Sequence, residues 1–216
     1  MKNLKIRLPM YFIGLFIMTV GIAFSIRSDL GVSPVSSPPY TLTVVWNVEM
    51  GMATFLFHVA LVLLQILLLR RKYKPKNLLQ LAVGVVFGLF TTFCNSLVMM
   101  IPMPDILPFR IIMLAVSIMI VAIGIFLYVP ADIMPLAGEG TMLAISQVTG
   151  FKFSNVKIGF DVSVSVISLV ICLITVHNPG SVGIGTVVSA VLTGAALGVI
   201  TRVFGEKRDR LLKKIR

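Results

Sequence analysis

Six apolar runs, at residues 8–26, 52–69, 78–101, 110–128, 155–176 and 182–204, are bounded by charge or proline, and each is long enough to cross a bilayer. At about 1.5 Å of rise per residue the first makes roughly 28 Å of helix, close to the ~30 Å hydrocarbon core. Lipid cannot satisfy backbone amides and carbonyls, so a spanning segment must be a helix or part of a closed barrel, and unbroken apolar runs of this length are helical. The expected fold is an all-α membrane domain of six transmembrane helices that takes in residues 1–216. Composition agrees: 57% of the residues are hydrophobic and 12% charged, outside the range of ordinary soluble domains.

The formal net charge of +11 raises the question of a nucleic-acid partner. Such a footprint needs basic residues gathered on one soluble face, whereas here they punctuate apolar runs, so no nucleic acid is expected. The charges report topology. With the N-terminus in the cytoplasm, the inside segments hold Lys2, Lys5 and Arg7, the cluster from Arg70 to Lys76, then Lys152 and Lys157, and the basic residues from Arg202 to Arg216. Only Arg27 and Arg110 of the 19 lysines and arginines remain outside. The positive-inside rule therefore places both termini in the cytoplasm, and the tail 205–216 reads as a basic anchor drawn to anionic membrane lipid. The apolar run after Met1–Arg7 is too long for a signal sequence and the following Arg27-Ser28-Asp29 is a poor cleavage site, so it is expected to stay as the first helix.

Two stretches are too short and too broken to span: residues 33–47, SPVSSPPYTLTVVWN, and 130–150, PADIMPLAGEGTMLAISQVTG. Each carries a short apolar run behind a cluster of Pro, Gly and Ser, the form of a re-entrant or interfacial half-helix. Laying the chain over itself pairs Gly21 with Gly124, Asp29 with Asp132, Leu42 with Ile145, Val45 with Val148 and Phe57 with Phe160, and sets His58 opposite Asp161. A GxxxG occurs in the third run of each half, at Gly84 and Gly88 and again at Gly194 and Gly198. The halves read as repeats at about 8–101 and 110–204. With three spans each they enter the membrane from opposite sides, which predicts inverted repeats.

Polar side chains at membrane depth are the candidates for substrate or ion binding. Asp29 and Asp132 open the broken segments, where each either holds a cation or proton or caps a short helix. Glu139, between Gly138 and Gly140, is either a binding carboxylate or a solvated loop residue. His58 and Asp161 lie inside the second and fifth runs, where an ionised side chain costs about 2.5–3.5 kcal/mol unless paired or wet; Lys157, one turn before Asp161, is a ready partner. Their matching positions suggest two half-sites around one cavity. Gly84, Gly88, Gly194 and Gly198 are expected to let helices approach closely. Cys94 and Cys172 lack metal or redox spacing and read as small buried hydrophobes, so no cofactor or metal is expected.

The run Arg27-Ser28-Asp29-Leu30-Gly31-Val32-Ser33-Pro34 resembles the S-D-L-G-x-x-P-W signature of the YczE/YyaS/YitT group of bacterial membrane proteins. Gly183-Ile184-Gly185-Thr186, with Gly194 beyond it, resembles that group's G-x-G-T and trailing glycine. The resemblance implies a multi-pass protein of the bacterial inner membrane; it supplies no reaction. No metalloprotease, hydrolase, P-loop or dinucleotide motif occurs in its required context, and no enzyme is expected. The leading expectation is a small secondary transporter of an unidentified solute or ion, with a homodimer thickening the thin wall of six helices. The alternative is a non-transporting accessory or sensor protein acting through its cytoplasmic loops and tail.

Overall fold

Prolines and left-handed residues set where the helices start and stop. The computed structural model describes residues 4–102, 104 and 106–213; Lys2 and tail residues 214–216 lie outside them. Its long helices are α1 (Leu4–Ser28), α3 (Met50–Leu69), α4 (Leu79–Met99), α5 (Leu107–Tyr128), α7 (Phe153–Val176) and α8 (Ile184–Lys213). These are the six candidate membrane spans. Between them lie two short helices, α2 (Ser37–Trp46) and α6 (Ala137–Thr149). Helix α2 takes Pro38 and Pro39 in its first turn, where a missing N–H costs nothing, and stops at Asn47 with φ 54°. Helix α6 stops at Gly150 with φ 75°. Glu49, unremarked in the sequence, starts α3 by accepting the amides of Gly51 and Met52 and takes the Thr92 hydroxyl of α4 at 3.0 Å.

Helix α1 lies at the centre, with Tyr11 and Leu15 fully enclosed. Its crossing with α5 is made by glycine. A Cβ on Gly14 would come within 2.6 Å of the Tyr128 amide, one on Gly124 within 2.8 Å of the Gly14 carbonyl, and one on Gly21 within 2.9 Å of the Val121 amide. The pairing of 14 with 124 and 128, and of 21 with 117 and 121, makes α1 and α5 antiparallel. Against α4, α1 runs parallel: Phe16 stacks edge-on with Phe90, the Thr19 hydroxyl meets the Cys94 thiol, and Arg27 reaches the Ile101 carbonyl. Helix α8 packs on α5 and α3 on α4, while α2 and α6 each pack against both α3 and α7.

Two expectations are corrected here. Gly84 and Gly88 do sit at a close contact, receiving the His58 ring and the Gly51 carbonyl of α3, but Gly194 and Gly198 have no atom within 4 Å of an added Cβ. A GxxxG permits close approach; at these two positions of α8 no neighbour arrives among the described residues, and the main packing of α8 is on α5. The tail is also more than a solvated anchor. Helix α8 continues through it to Lys213, and Arg208 lies 4.5 Å over the Phe126 ring while donating to the Phe126 carbonyl at 3.2 Å. The loop after Asp132 is shorter than the loop after Asp29, so the second short helix starts about one turn earlier after its aspartate than the first.

Candidate functional site

The polar centre of the bundle gathers at the start of α6. Glu139 occupies the third position of that helix, the place from which a carboxylate reaches back to the amide that opens it, here Leu136. The structure does not leave Glu139 as a solvated loop residue. Its Oε2 accepts the hydroxyl of Tyr128 from the end of α5. The Tyr128 ring packs edge-on against Tyr11 of α1, 5.8 Å between centroids, and the Tyr11 hydroxyl donates to the Met134 carbonyl at 2.8 Å. Three elements therefore position one carboxylate.

On the other flank of α6 lies a glutamine pair. Gln65 of α3 and Gln80 of α4 are 1% and 2% exposed. The Gln65 amide donates to Gln80 Oε1 at 2.9 Å, to the Ala137 carbonyl at 3.1 Å and to Thr141 Oγ1 at 3.3 Å, and Thr141 in turn donates to its own helix at Ala137. Gly140 is small because it must be: a Cβ there would lie 2.7 Å from the Gln80 amide nitrogen. Gly138, one turn before Thr141, faces Val35 beside the start of α2. The beginnings of the two short helices therefore meet inside the bundle.

Burial pushes the Glu139 carboxyl above the usual carboxylate range, and the Tyr128 hydroxyl, Lys157 and the Leu136 amide each pull it back. The linkage has a definite sign. A carboxyl raised in the folded state holds its proton there after the unfolded chain has lost it, so its contribution is complete below about pH 4.3 and is lost as pH rises through the raised folded value. Wild-type melting temperature should fall across that window, and Glu139→Gln should flatten the fall; an unchanged slope would remove Glu139 as its source.

The remaining candidates are not brought together around a single cavity. Asp29 and Asp132 share one local geometry: each sits in the left-handed region, φ 53° and 49°, and donates its amide three residues back, to Ile26 and Val129. They therefore end the preceding elements and do not cap the short helices, whose caps are Ser36 and Leu136. Both are exposed, and Asp29 pairs with Arg110 at 3.0 Å across the entrance of α5. Asp161 pairs with Lys157 at 2.7 Å, as the one-turn spacing suggests. His58 lies between α3 and α4, stacked on Phe87 at 5.7 Å with its Nδ1 buried and unpartnered. Their partners differ: His58 packs on α4 at Phe87 and Gly84, and Asp161 pairs along α7 with Lys157. Among the described residues no group of three His, Cys, Asp or Glu side chains is spaced to hold a metal.

The two motifs that carry the family resemblance interlock. The Gly185 amide donates to the Leu30 carbonyl at 2.7 Å and the Val32 amide to the Ser181 carbonyl at 3.2 Å. Gly31, at φ 106°, leaves no room for a side chain, since a Cβ would lie 2.6 Å from the Gly183 amide. Sequence reasoning missed Tyr11, Tyr128, Gln65 and Gln80. The glutamines were visible as lone polar residues within or beside apolar runs, which is the signal that singled out His58.

Fold and site together define a multi-pass helical membrane protein with six candidate spans around a buried polar cluster. The chain belongs to the family described as a family of unknown function, DUF6198, whose model matches residues 5–202. It is similar to the uncharacterized membrane protein YczE of Bacillus subtilis (strain 168), 26% identical over 197 residues that cover 91% of this chain and 86% of that protein. No solved structure matches it.

Proposed function

We propose that the protein is a small secondary transporter built from two inverted repeats, with α2 and α6 as re-entrant half-helices and the solute meeting the polar cluster at the start of α6. The observation that carries this reading is the placement of Glu139, Tyr128, Gln65, Gln80 and Thr141 around one short helix whose start meets that of α2. Polar groups inside a membrane bundle are costly and concentrate on substrate and ion paths. Short helices that begin near the midplane offer partial charge and unwound backbone to a solute. Support for the repeats comes from the antiparallel crossing of α1 and α5, from the matching pairs α1 with α4 and α5 with α8, and from the shared geometry of Asp29 and Asp132. We place the protein in a bacterial inner membrane with both termini cytoplasmic, on the distribution of basic residues.

The test is a melting-temperature screen of purified protein against ions and organic solutes, followed by flux measurements in vesicles with whatever shifts it. A ligand at about 100 times its dissociation constant stabilises by roughly 2.7 kcal/mol, which melting resolves. Glu139→Gln should lose both the shift and the flux, whereas Asp132→Asn, at an exposed turn, should keep both. Flux that survives Glu139→Gln would remove this site from the transport path. The accessory-protein reading draws on the continuation of α8 past its apolar run to Lys213, a stretch that carries basic residues. It predicts that truncation after residue 204 abolishes activity while Glu139→Gln is silent.

A further inference from the structure

The backbones of α3 and α7 scarcely approach one another; α2 and α6 stand between them, each packed on both. Toward the basic loop 70–76 the gap is plugged. Leu61 and Val62 of α3, Met142 of α6, and Phe160 and Val164 of α7 belong to one buried cluster there, and Phe57 packs against it. Toward the opposite surface, where α3 begins and α7 ends, the gap is left open. A cavity of about 210 Å³ remains between α2, α3 and α7, and Trp46, Leu56 and Ile167 on its rim are exposed.

Helix ridges make its walls. Along α2, Pro38, Leu42 and Trp46 follow one another at four-residue spacing; α3 supplies Leu56 and Ala60, and α7 Ile167 and Ile171, at the same spacing. Residues four apart stand above one another on a helix face, so the groove runs lengthwise along the helices. At about 1.5 Å per residue, positions 56–60 lie roughly 9–15 Å from the start of α3 at Met50, and positions 167–171 roughly 8–14 Å from the end of α7 at Val176. The two walls therefore face each other at one depth. Phe57 closes the deep end, and Trp46, the single tryptophan of the chain, stands at the other on the last turn of α2. Tryptophan favours the boundary between hydrocarbon and headgroups, which sets the mouth of the groove at headgroup level.

The lining selects its occupant. It is carbon almost throughout, and its two hydroxyl residues do not change that: Thr41 is engaged with the Ser37 carbonyl and Ser181, and the Ser168 oxygen is buried beneath the surface. An apolar cavity of this order stays dry and accepts an apolar guest. A further transmembrane helix, about 10–12 Å across with its side chains, is too thick to enter. In a bilayer the slender apolar body at this depth and in this direction is a lipid hydrocarbon chain. Leaving other lipid gains it nothing hydrophobic, so its binding comes from close packing along the preformed ridges.

We propose that the groove between α2, α3 and α7 binds one acyl chain of a phospholipid from the leaflet opposite the basic loop 70–76, with the headgroup beside Trp46. The site stands whether or not the protein moves a solute. Trp46 is both its wall and its reporter. The full chain in detergent is titrated with a phospholipid brominated on the upper part of its chains, bromine being a contact quencher of indole fluorescence. Emission should fall to a plateau while the brominated lipid is still a small fraction of the micelle, and the same lipid without bromine, added first, should delay the fall. Ala60→Phe, which puts a ring into the groove and leaves Trp46 in place, should abolish the plateau and leave only a gradual decline with lipid fraction. Ala115→Phe, at an exposed position of α5, should keep the plateau. Ala60→Leu provides the same loss should Ala60→Phe fail to fold. A gradual decline in wild type from the first addition, the behaviour of lipid that merely surrounds the protein, would overturn the site, as would a plateau that survives both groove variants. Emission that ignores lipid and shifts with protein concentration would mean that a second copy covers the groove, and would overturn it as well.

Discussion

Leucine in place of Gly124 is expected to abolish the folded protein, whereas leucine in place of Gly194 leaves it intact. The two substitutions are chemically identical, and both replace a poor helix former by a good one. They differ in what the new side chain meets. At Gly124 even the first carbon would lie 2.4 Å from Met18 Cγ, 2.7 Å from the Met18 amide and 2.8 Å from the Gly14 carbonyl. The methionine can move; the two backbone atoms cannot move without separating α1 from α5. Overpacking a core costs about 1–3 kcal/mol when side chains can adjust, so a backbone-to-backbone contact lies at or above the top of that range. Against a total of roughly 5–15 kcal/mol this loss, at the crossing on which the central helix depends, is severe. At Gly194 nothing lies within 4 Å. Yield of monodisperse protein and its melting temperature in detergent check the contrast. Equal tolerance of both changes would mean that α1 and α5 do not cross as described.

That contrast also marks how far the residue pattern carries. The six spans were readable because lipid forces continuous apolar runs, and the six candidate spans of the fold match them closely. The recurrence of Asp29 at Asp132 was readable too, and the matching left-handed geometry shows why an aspartate suits both: its short polar side chain tolerates that backbone region. Packing partners were not readable. GxxxG singled out Gly84, Gly88, Gly194 and Gly198 alike, although only the first two meet another helix, and it passed over Gly14 and Gly124, which belong to different helices and form a motif only once α1 crosses α5. The two readings of Glu139 could not be separated in the sequence for a related reason. Its flanking glycines mark backbone freedom, but its burial depends on Tyr128, and their contact follows from the fold of the α5–α6 connection. The earlier start of α6 after Asp132 depends on loop length, which apolar periodicity does not encode.

The glutamine pair yields a prediction in which two losses are smaller than one. Replacing Gln65 alone by leucine leaves Gln80 Oε1 facing an apolar side chain inside the bundle, 2.9 Å from where its donor stood. An abandoned buried amide costs about 1–3 kcal/mol, and interhelical bonds within membranes run toward the lower end, near 0.6–2 kcal/mol. Replacing Gln80 alone strands the Gln65 amide less completely, because the Ala137 carbonyl and Thr141 hydroxyl remain within reach. Gln65→Leu should therefore be the more damaging single change, by about 1 kcal/mol. With both residues changed to leucine neither partner is orphaned, Thr141 keeps its bond to Ala137, and the space is filled by groups of similar volume. The double variant should be nearly as stable as wild type, giving a coupling energy of about 1–2 kcal/mol in the cycle. Strictly additive losses would mean that the two amides do not depend on one another. The same double variant separates fold from function. If the start of α6 receives solute, a stable protein with an apolar flank there should lose ligand-induced stabilisation while keeping its melting temperature. If the pair only fastens α3, α4 and α6 together, ligand-induced stabilisation should persist unchanged.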